Sequence, residues 1–279
     1  MKPGAYFRLM RFHKPVGLLL LWFPTAWALW ISNDGPPPPA IFCYFLLGTV
    51  FMRAAGCIVN DMADRHIDLH VERTKLRPLT TGEVPLPNAF ILLFFLLLAA
   101  FFVVLQLPAI RFYYALIALF ITILYPFCKR FFDVPQMILG LAFSMGIPMA
   151  YASAERGVTI DLLLLFLLNF AWIVAYDTMY AMADREDDLR IGVKSSAILF
   201  GAYDRIIILL LQIMTQVIWI YLAIQLHYSV IFYFGLSVAS CVLIYQQYLL
   251  QRHERSAYLQ AFSSNAVYGL VMWGALILS

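Results

Sequence analysis

Charge is what this sequence has least of. Asp, Glu, Lys and Arg make up 13% of its 279 residues, against roughly a quarter in a soluble globular domain. That shortage excludes a water-soluble single-core protein. Together with 63% hydrophobic residues, it leaves an integral membrane protein made of spanning helices. Cysteine is also sparse. Cys43, Cys57, Cys128 and Cys241 stand apart in apolar surroundings without a CxxC pair, so neither a disulfide framework nor a zinc site is expected. The five histidines have no ligand spacing. His66 and His70 lie four apart but off the acidic stripe described below. No Gly-rich phosphate loop, Ser/His/Asp set or cleavable signal peptide is present. The first apolar segment carries Trp22, Pro24, Trp27 and Trp30 and reads as a retained helix, its tryptophans partly an interfacial belt. The net charge of +3 says little by itself, and the bases sit among carboxylates at the ends of apolar segments, which argues against a nucleic-acid partner.

What is abundant is long apolar segments. Nine are long enough to be spans, at 16–32, 40–59, 89–107, 110–128, 135–153, 159–182, 206–226, 228–249 and 262–278. Asn33-Asp34-Gly35 with Pro36 to Pro39, Leu107-Pro108, and Glu155-Arg156-Gly157 punctuate them. If the connections are numbered alternately from the N-terminus, sixteen of the 19 Lys and Arg residues fall on one side. Only Arg111 and Arg156 fall on the other, and Arg53 lies inside a span. Lys2 is among the sixteen. The asymmetry predicts a nine-helix, all-α protein with a cytoplasmic N-terminus. The two largest loops, 61–88 and 183–205, then share the cytoplasmic face.

Both loops begin with carboxylates. Asn60, Asp64 and Asp68 recur every four residues, a spacing that lines up one face of a helix. Arg53 falls on the same stripe, and Arg65, Arg73, Lys75 and Arg77 follow. The tetrapeptide Met62-Ala63-Asp64-Arg65 returns as Met182-Ala183-Asp184-Arg185, where Asp177, Tyr180, Asp184 and Asp188 again share a face. One domain, 1–279, with two weakly related halves accounts for this echo. Ionisable groups where an apolar helix meets water mark function. Two facing acidic stripes suit Mg²⁺, a hard cation usually held by one or two carboxylates plus substrate phosphates. Two or three such ions would grip a diphosphate and improve it as a leaving group. Arg73, Arg77 and Lys129 would add charge-assisted contacts. An allylic diphosphate would leave a carbocation, which an aromatic-rich interior shields from water and stabilises. Asp61, off the stripe, is expected to cap or bind a loop, while Glu186 and Asp187 are expected to be solvated and Arg130 to be a surface anchor.

These motifs resemble those of the UbiA-type intramembrane prenyltransferases. NDxxDxxxD from Asn60 to Asp68 with RTKLRPL from Arg73 to Leu79 is similar to the first signature, and YDTxYAxxDxxxD from Tyr176 to Asp188, running on into IGVKSSAILFG, to the second. HKPVGLLLLWFPTAWALW at 13–30, FMRAAGCIVND at 51–61, YPFCKR at 125–130 and IYQQ at 244–247 extend the likeness along nearly the whole chain. Leu76 departs from it, where the family more often has Asn.

The resemblance implies nine helices around a central cavity in the bacterial cell inner membrane. It also implies Mg²⁺-dependent transfer of the prenyl group of a polyprenyl diphosphate to an aromatic ring, 4-hydroxybenzoate in ubiquinone biosynthesis. It gives Asn60, Asp64, Asp68, Asp184 and Asp188 the metal–diphosphate role and Arg73, Arg77 and Lys129 the diphosphate. Asp177, Tyr180 and Tyr125 fall near the site, and Arg53 seats the aromatic acid. The ring carboxylate would need a cation inside an apolar cavity, and Arg53 is the one Lys or Arg expected to be buried within a span. Dihydroxynaphthoate, haem or a sugar phosphate are alternative acceptors. A cation-coupled transporter is the alternative outside this chemistry, since acids in a membrane also mark ion paths.

Overall fold

Proline and glycine mark many of the helix ends. A helix leaves its first N–H groups unpaired, so proline costs nothing there. It stands in the first turn of α3 (Pro39–Asp64), α4 (Leu86–Leu105) and α6 (Pro135–Ser144). The structure, a computed structural model, describes residues 3–107 and 110–279, with the side chains of Ile110 and Arg111 left aside. Lys2, Pro108 and the Arg111 side chain therefore lie outside the described residues. The other helices are α1 (Pro3–Leu9), α2 (Val16–Ser32), α5 (Ile110–Cys128), α7 (Gly146–Ser153), α8 (Ile160–Ile191), α9 (Ser196–Phe200), α10 (Asp204–Gln225), α11 (Val230–Leu250) and α12 (Arg255–Leu278). No strand occurs among the described residues.

Among the described residues, seven helical stretches are long and apolar enough to cross a membrane, counting α6–α7 and α9–α10 as single stretches. The helices Val16–Ser32 and Phe112–Cys128 are apolar but shorter. Twenty residues of α4 reach about 30 Å, the thickness of a hydrocarbon core. The chain is thus a multi-pass membrane protein. The expected segments fall on helices, with informative departures. The segment 135–153 is broken at Met145 between α6 and α7. The segment 159–182 runs nine residues further as helix, to Ile191. There Gly192, at φ 73°, closes α8 with its amide on the Asp188 carbonyl, a left-handed conformation glycine takes readily. The segment 40–59 continues to Asp64 and then stops.

Helix α8 is the hub, packing on α2, α6, α7, α10 and α12. The tryptophans centre the core there instead of forming an interfacial belt. Trp27 is fully buried, its ring 5.1 Å from Trp172 and 5.3 Å from Trp219. Its Nε1 donates to the Gly269 carbonyl at 3.3 Å, and Trp172 Nε1 donates to Asn265 Oδ1 at 2.8 Å. Trp22 is buried too, and Trp30 packs on Phe42 and Trp273. In lipid, tight packing and interhelical hydrogen bonds hold helices together, because lipid tails are as apolar as the side chains. Buried indoles supply both. Exposed rings lie elsewhere, among them Phe90, Phe94, Phe95 and Phe102 on α4, Phe120 on α5 and Phe234 on α11. Helices α4 and α5 form a side wall against α3, and the C-terminal ends of α3, α5 and α8 converge at one end of the bundle.

Candidate active site

Where those three helix ends meet, a cavity of about 700 Å³ opens. Every residue singled out from the sequence for chemistry lines it: Arg53, Asn60, Asp64, Asp68, Arg73, Arg77, Tyr125, Lys129, Asp177, Tyr180, Asp184 and Asp188. Asp68 gets there differently from the expected helical stripe. α3 ends at Asp64, and Asp68 opens a short 3-10 turn, Asp68–His70. The following segment folds back, with Thr74 Oγ1 donating to the Asp68 carbonyl at 3.1 Å. This carries Arg73 and Arg77 over the mouth.

Acids and bases are interlocked there. Arg73 grips Asp184 with two nitrogens, its Nε lying 3.1 Å from each carboxylate oxygen and Nη2 bonding Oδ2. Its guanidinium also sits 4.4 Å from the centre of the Tyr180 ring. Lys129 Nζ lies 3.1 Å from Asp64 Oδ2 and 5.4 Å from the Tyr125 ring. Arg77 Nη1 bonds Asp68 Oδ2 at 2.6 Å and Asp61 Oδ1 at 3.0 Å. Burial pulls both Lys129 and Arg73 down, but the neighbouring tyrosines and carboxylates outweigh it and hold each above its ordinary value. Burial pushes the Asp68 carboxyl up, and Arg77 only partly counters that.

Two participants, Arg255 and Tyr176, went unread in the sequence, and a third, Asp61, was read only in part. Arg255, counted only as a surface base, reaches from the start of α12 to Asp184 at 3.1 Å and to Asp187 at 3.2 Å. Asp187, expected to be solvated, is therefore paired, whereas Glu186 is exposed as expected. Asp61 is completely buried and binds Arg11 Nη2 at 2.6 Å as well as Arg77. It does bind a loop, and it ties in the N-terminal segment too. Tyr176, quoted only as the start of the second motif, is 2% exposed, with a hydroxyl lacking a hydrogen-bond partner among the described residues. Arg255 and Asp61 have no local signal, since their partners come from other parts of the chain, and nothing local marks the Tyr176 hydroxyl as buried. Arg130, read as an anchor, also donates to the Ala63 carbonyl at 3.0 Å.

The residues fit a divalent metal. Asp64 Oδ1 is buried without a hydrogen-bond partner among the described residues. A carboxylate oxygen left dry in this way is costly, and a hard cation would satisfy it. Among those residues, no three His, Cys, Asp or Glu side chains cluster closely enough to hold a metal alone. That matches an ion shared between one or two carboxylates and a ligand's phosphates. Past the charged mouth the wall turns apolar, with Ala100, Phe101, Val104 and Leu107 on the α4 side and Phe112, Leu116 and Leu119 on α5. A mouth of paired acids and bases opening on an apolar interior is the arrangement a membrane enzyme acting on an isoprenoid diphosphate would need.

The chain belongs to the UbiA prenyltransferase family, whose model matches residues 21–273. It is 55% identical over 273 residues to the 4-hydroxybenzoate octaprenyltransferase of Legionella pneumophila (strain Lens), covering 98% of this chain and 97% of that protein. Its fold is similar to the apo structure of a UbiA homolog from Aeropyrum pernix K1, with a TM-score of 0.81 at 21% identity over 93% of this chain and 97% of the other. It is also similar to that of a UbiA homolog from Archaeoglobus fulgidus bound to GPP and Mg²⁺, with a TM-score of 0.70 at 19% identity over 99% and 100%.

Proposed function

We propose that this protein transfers a polyprenyl group from polyprenyl diphosphate to the ring carbon ortho to the hydroxyl of 4-hydroxybenzoate, a step of ubiquinone biosynthesis. The observation that carries this reading is that Asp64 at the end of α3 and Asp184 on α8 line one cavity with an apolar interior. The Legionella relative's name supplies the acceptor and makes octaprenyl diphosphate the first donor to test. We place the nine helices, the shorter α2 and α5 included, in the bacterial inner membrane, with the N-terminus and the cavity mouth cytoplasmic.

In this reading Asn60, Asp64, Asp68, Asp184 and Asp188 hold Mg²⁺ together with the donor's diphosphate. The metal supplies the positive charge that lets diphosphate leave. Arg73, Arg77 and Lys129 exchange their carboxylate partners for diphosphate oxygens and stabilise the charge that develops as the C–O bond breaks. The diphosphate departs with the bonding electrons. Tyr125 and Tyr180 face the allylic cation with their rings, and the α4–α5 wall keeps water away. Arg53 holds the acceptor carboxylate, and the ring carbon activated by the phenol oxygen forms the new C–C bond. The ring proton then passes to Asp177 or to the departed diphosphate, which restores aromaticity.

The test uses purified protein in lipid nanodiscs with labelled 4-hydroxybenzoate, octaprenyl diphosphate and Mg²⁺, and mass spectrometry of the product. The expected product is the 3-octaprenyl acid, lost with EDTA and regained with Mg²⁺. Absence of product with every divalent metal tried would overturn the reading.

A further inference from the structure

The ion pairs of the cavity join Arg73, Arg77, Lys129, Arg255 and Arg11 to acids and leave Arg53 out. Among the described residues Arg53 has no ion pair within contact distance; it lies against Phe143 and Gly17, with Asp177 and Tyr176 within electrostatic reach. Its guanidinium carbon is 5.9 Å from the centre of the Phe143 ring of α6. On its other side is Gly17, in the first turn of α2. A β-carbon at position 17 would collide with Arg53 Nη2 and lie 2.7 Å from Cζ and 3.1 Å from Nε. All three atoms fall close together, so the head of the guanidinium rests directly on the bare α-carbon.

Gly17 has an ordinary helical backbone that any residue could adopt. Alanine is the better helix former. The backbone therefore gives no reason for glycine here, whereas the guanidinium gives one. Nearby on the same cavity wall is the Tyr176 hydroxyl, buried and without a partner among the described residues, a second polar group that a small ligand would satisfy.

We propose that Gly17 is a specificity-determining position: its missing side chain is the seat that holds Arg53 against α2, where the guanidinium receives the carboxylate of the aromatic acceptor. Gly17 acts only through Arg53, so it is a positioning residue. The inference rests on the acceptor role given to Arg53 above. The obstacle to a methyl group at 17 is the far end of a flexible side chain, not backbone. Gly17→Ala is therefore accommodated by the guanidinium moving off its seat, with the helices staying in place.

The experiment compares native protein, Gly17→Ala, Arg53→Ala and the double variant in nanodiscs, varying 4-hydroxybenzoate and octaprenyl diphosphate separately. Gly17→Ala is expected to raise the KM for 4-hydroxybenzoate at least about tenfold, with the KM for the diphosphate within about twofold, the pattern of a lost acceptor contact. In the Arg53→Ala background the same change is expected to add nothing, because the group it displaces is gone. An unchanged acceptor KM in folded Gly17→Ala overturns the proposal, as does an equal penalty in both backgrounds. If Gly17→Ala alone does not fold, the double variant is expected to fold, and its failure to do so also overturns the proposal. Arg53→Ala serves as the separate check on the underlying reading. If it leaves the acceptor KM unchanged, the acceptor role of Arg53 fails, whatever happens at position 17.

Discussion

The two acidic motifs share the tetrapeptide Met-Ala-Asp-Arg and yet have different backbones. The second stays on one helix, α8, which carries Asp177, Tyr180, Asp184 and Asp188 and runs on to Gly192. The first leaves its helix at Asp64, and Asp68, Arg73 and Arg77 stand on a folded-back segment. What differs is how each arginine of the repeat is used. Arg185 pairs with Asp204 of α10 and anchors its turn. Among the described residues the Arg65 side chain bonds only the neighbouring His66, at 2.9 Å. Beyond it, Arg77 draws Asp68 towards Asp61. One side of the site is thus a rigid rail, and the other is a clasp closed by ion pairs. The same local sequence yields both, because tertiary partners decide whether the helix continues.

Substitutions separate rail from clasp, and the largest effect is expected where the two meet. Asp64→Ala and Asp184→Ala should each lower kcat/KM by about a thousandfold or more, several kcal/mol of lost leaving-group stabilisation at about 1.4 kcal/mol per tenfold. Circular dichroism should show the helices intact, and substantial activity in either variant would break the paired-motif picture. The clasp comes next. Arg77→Ala should raise the diphosphate KM by about 10- to 100-fold, the worth of about 1.5–3 kcal/mol for a charged hydrogen bond, and leave the acceptor KM near its native value. Asp61→Ala should act mainly on stability. It strands Arg11 and leaves Arg77 with Asp68 alone, a loss of about 3–5 kcal/mol for a broken buried pair, read as a lower melting temperature in detergent. Arg255→Ala, which leaves Asp184 its Arg73 partner, should cost less than Arg77→Ala in steady-state kinetics. Leu76→Asn should do almost nothing. Leu76 is 77% exposed on the outside of the clasp, where surface changes fall within about 0.5 kcal/mol.

Much of this was legible because membranes write simply. Apolar length located the helices, and charges inside apolar segments located the cavity. Arg53, Asp64 and Asp184 stood out because so few other charges compete with them. The contacts that needed three dimensions were missed. Asp187 looked solvated because its partner, Arg255, arrives 68 residues later. Trp27 looked like a membrane anchor because nothing local tells an indole facing lipid from one facing Trp172 and Trp219. Asp68 looked helical because four-residue spacing holds whether or not the helix persists. Gly17 carried no signal at all, since its meaning lies in the arginine resting on it.

The interlocking of Lys129 with Asp64, Arg77 with Asp68 and Arg73 with Asp184 has a thermodynamic corollary. In the proposed reading, a lone magnesium ion would compete with these bases for the carboxylates they hold. A lone pyrophosphate would likewise compete with the carboxylates for the bases. Arriving together, each guest occupies the host groups the other has released. The affinities of the two guests would then be reciprocal, each strengthening the other by the same factor.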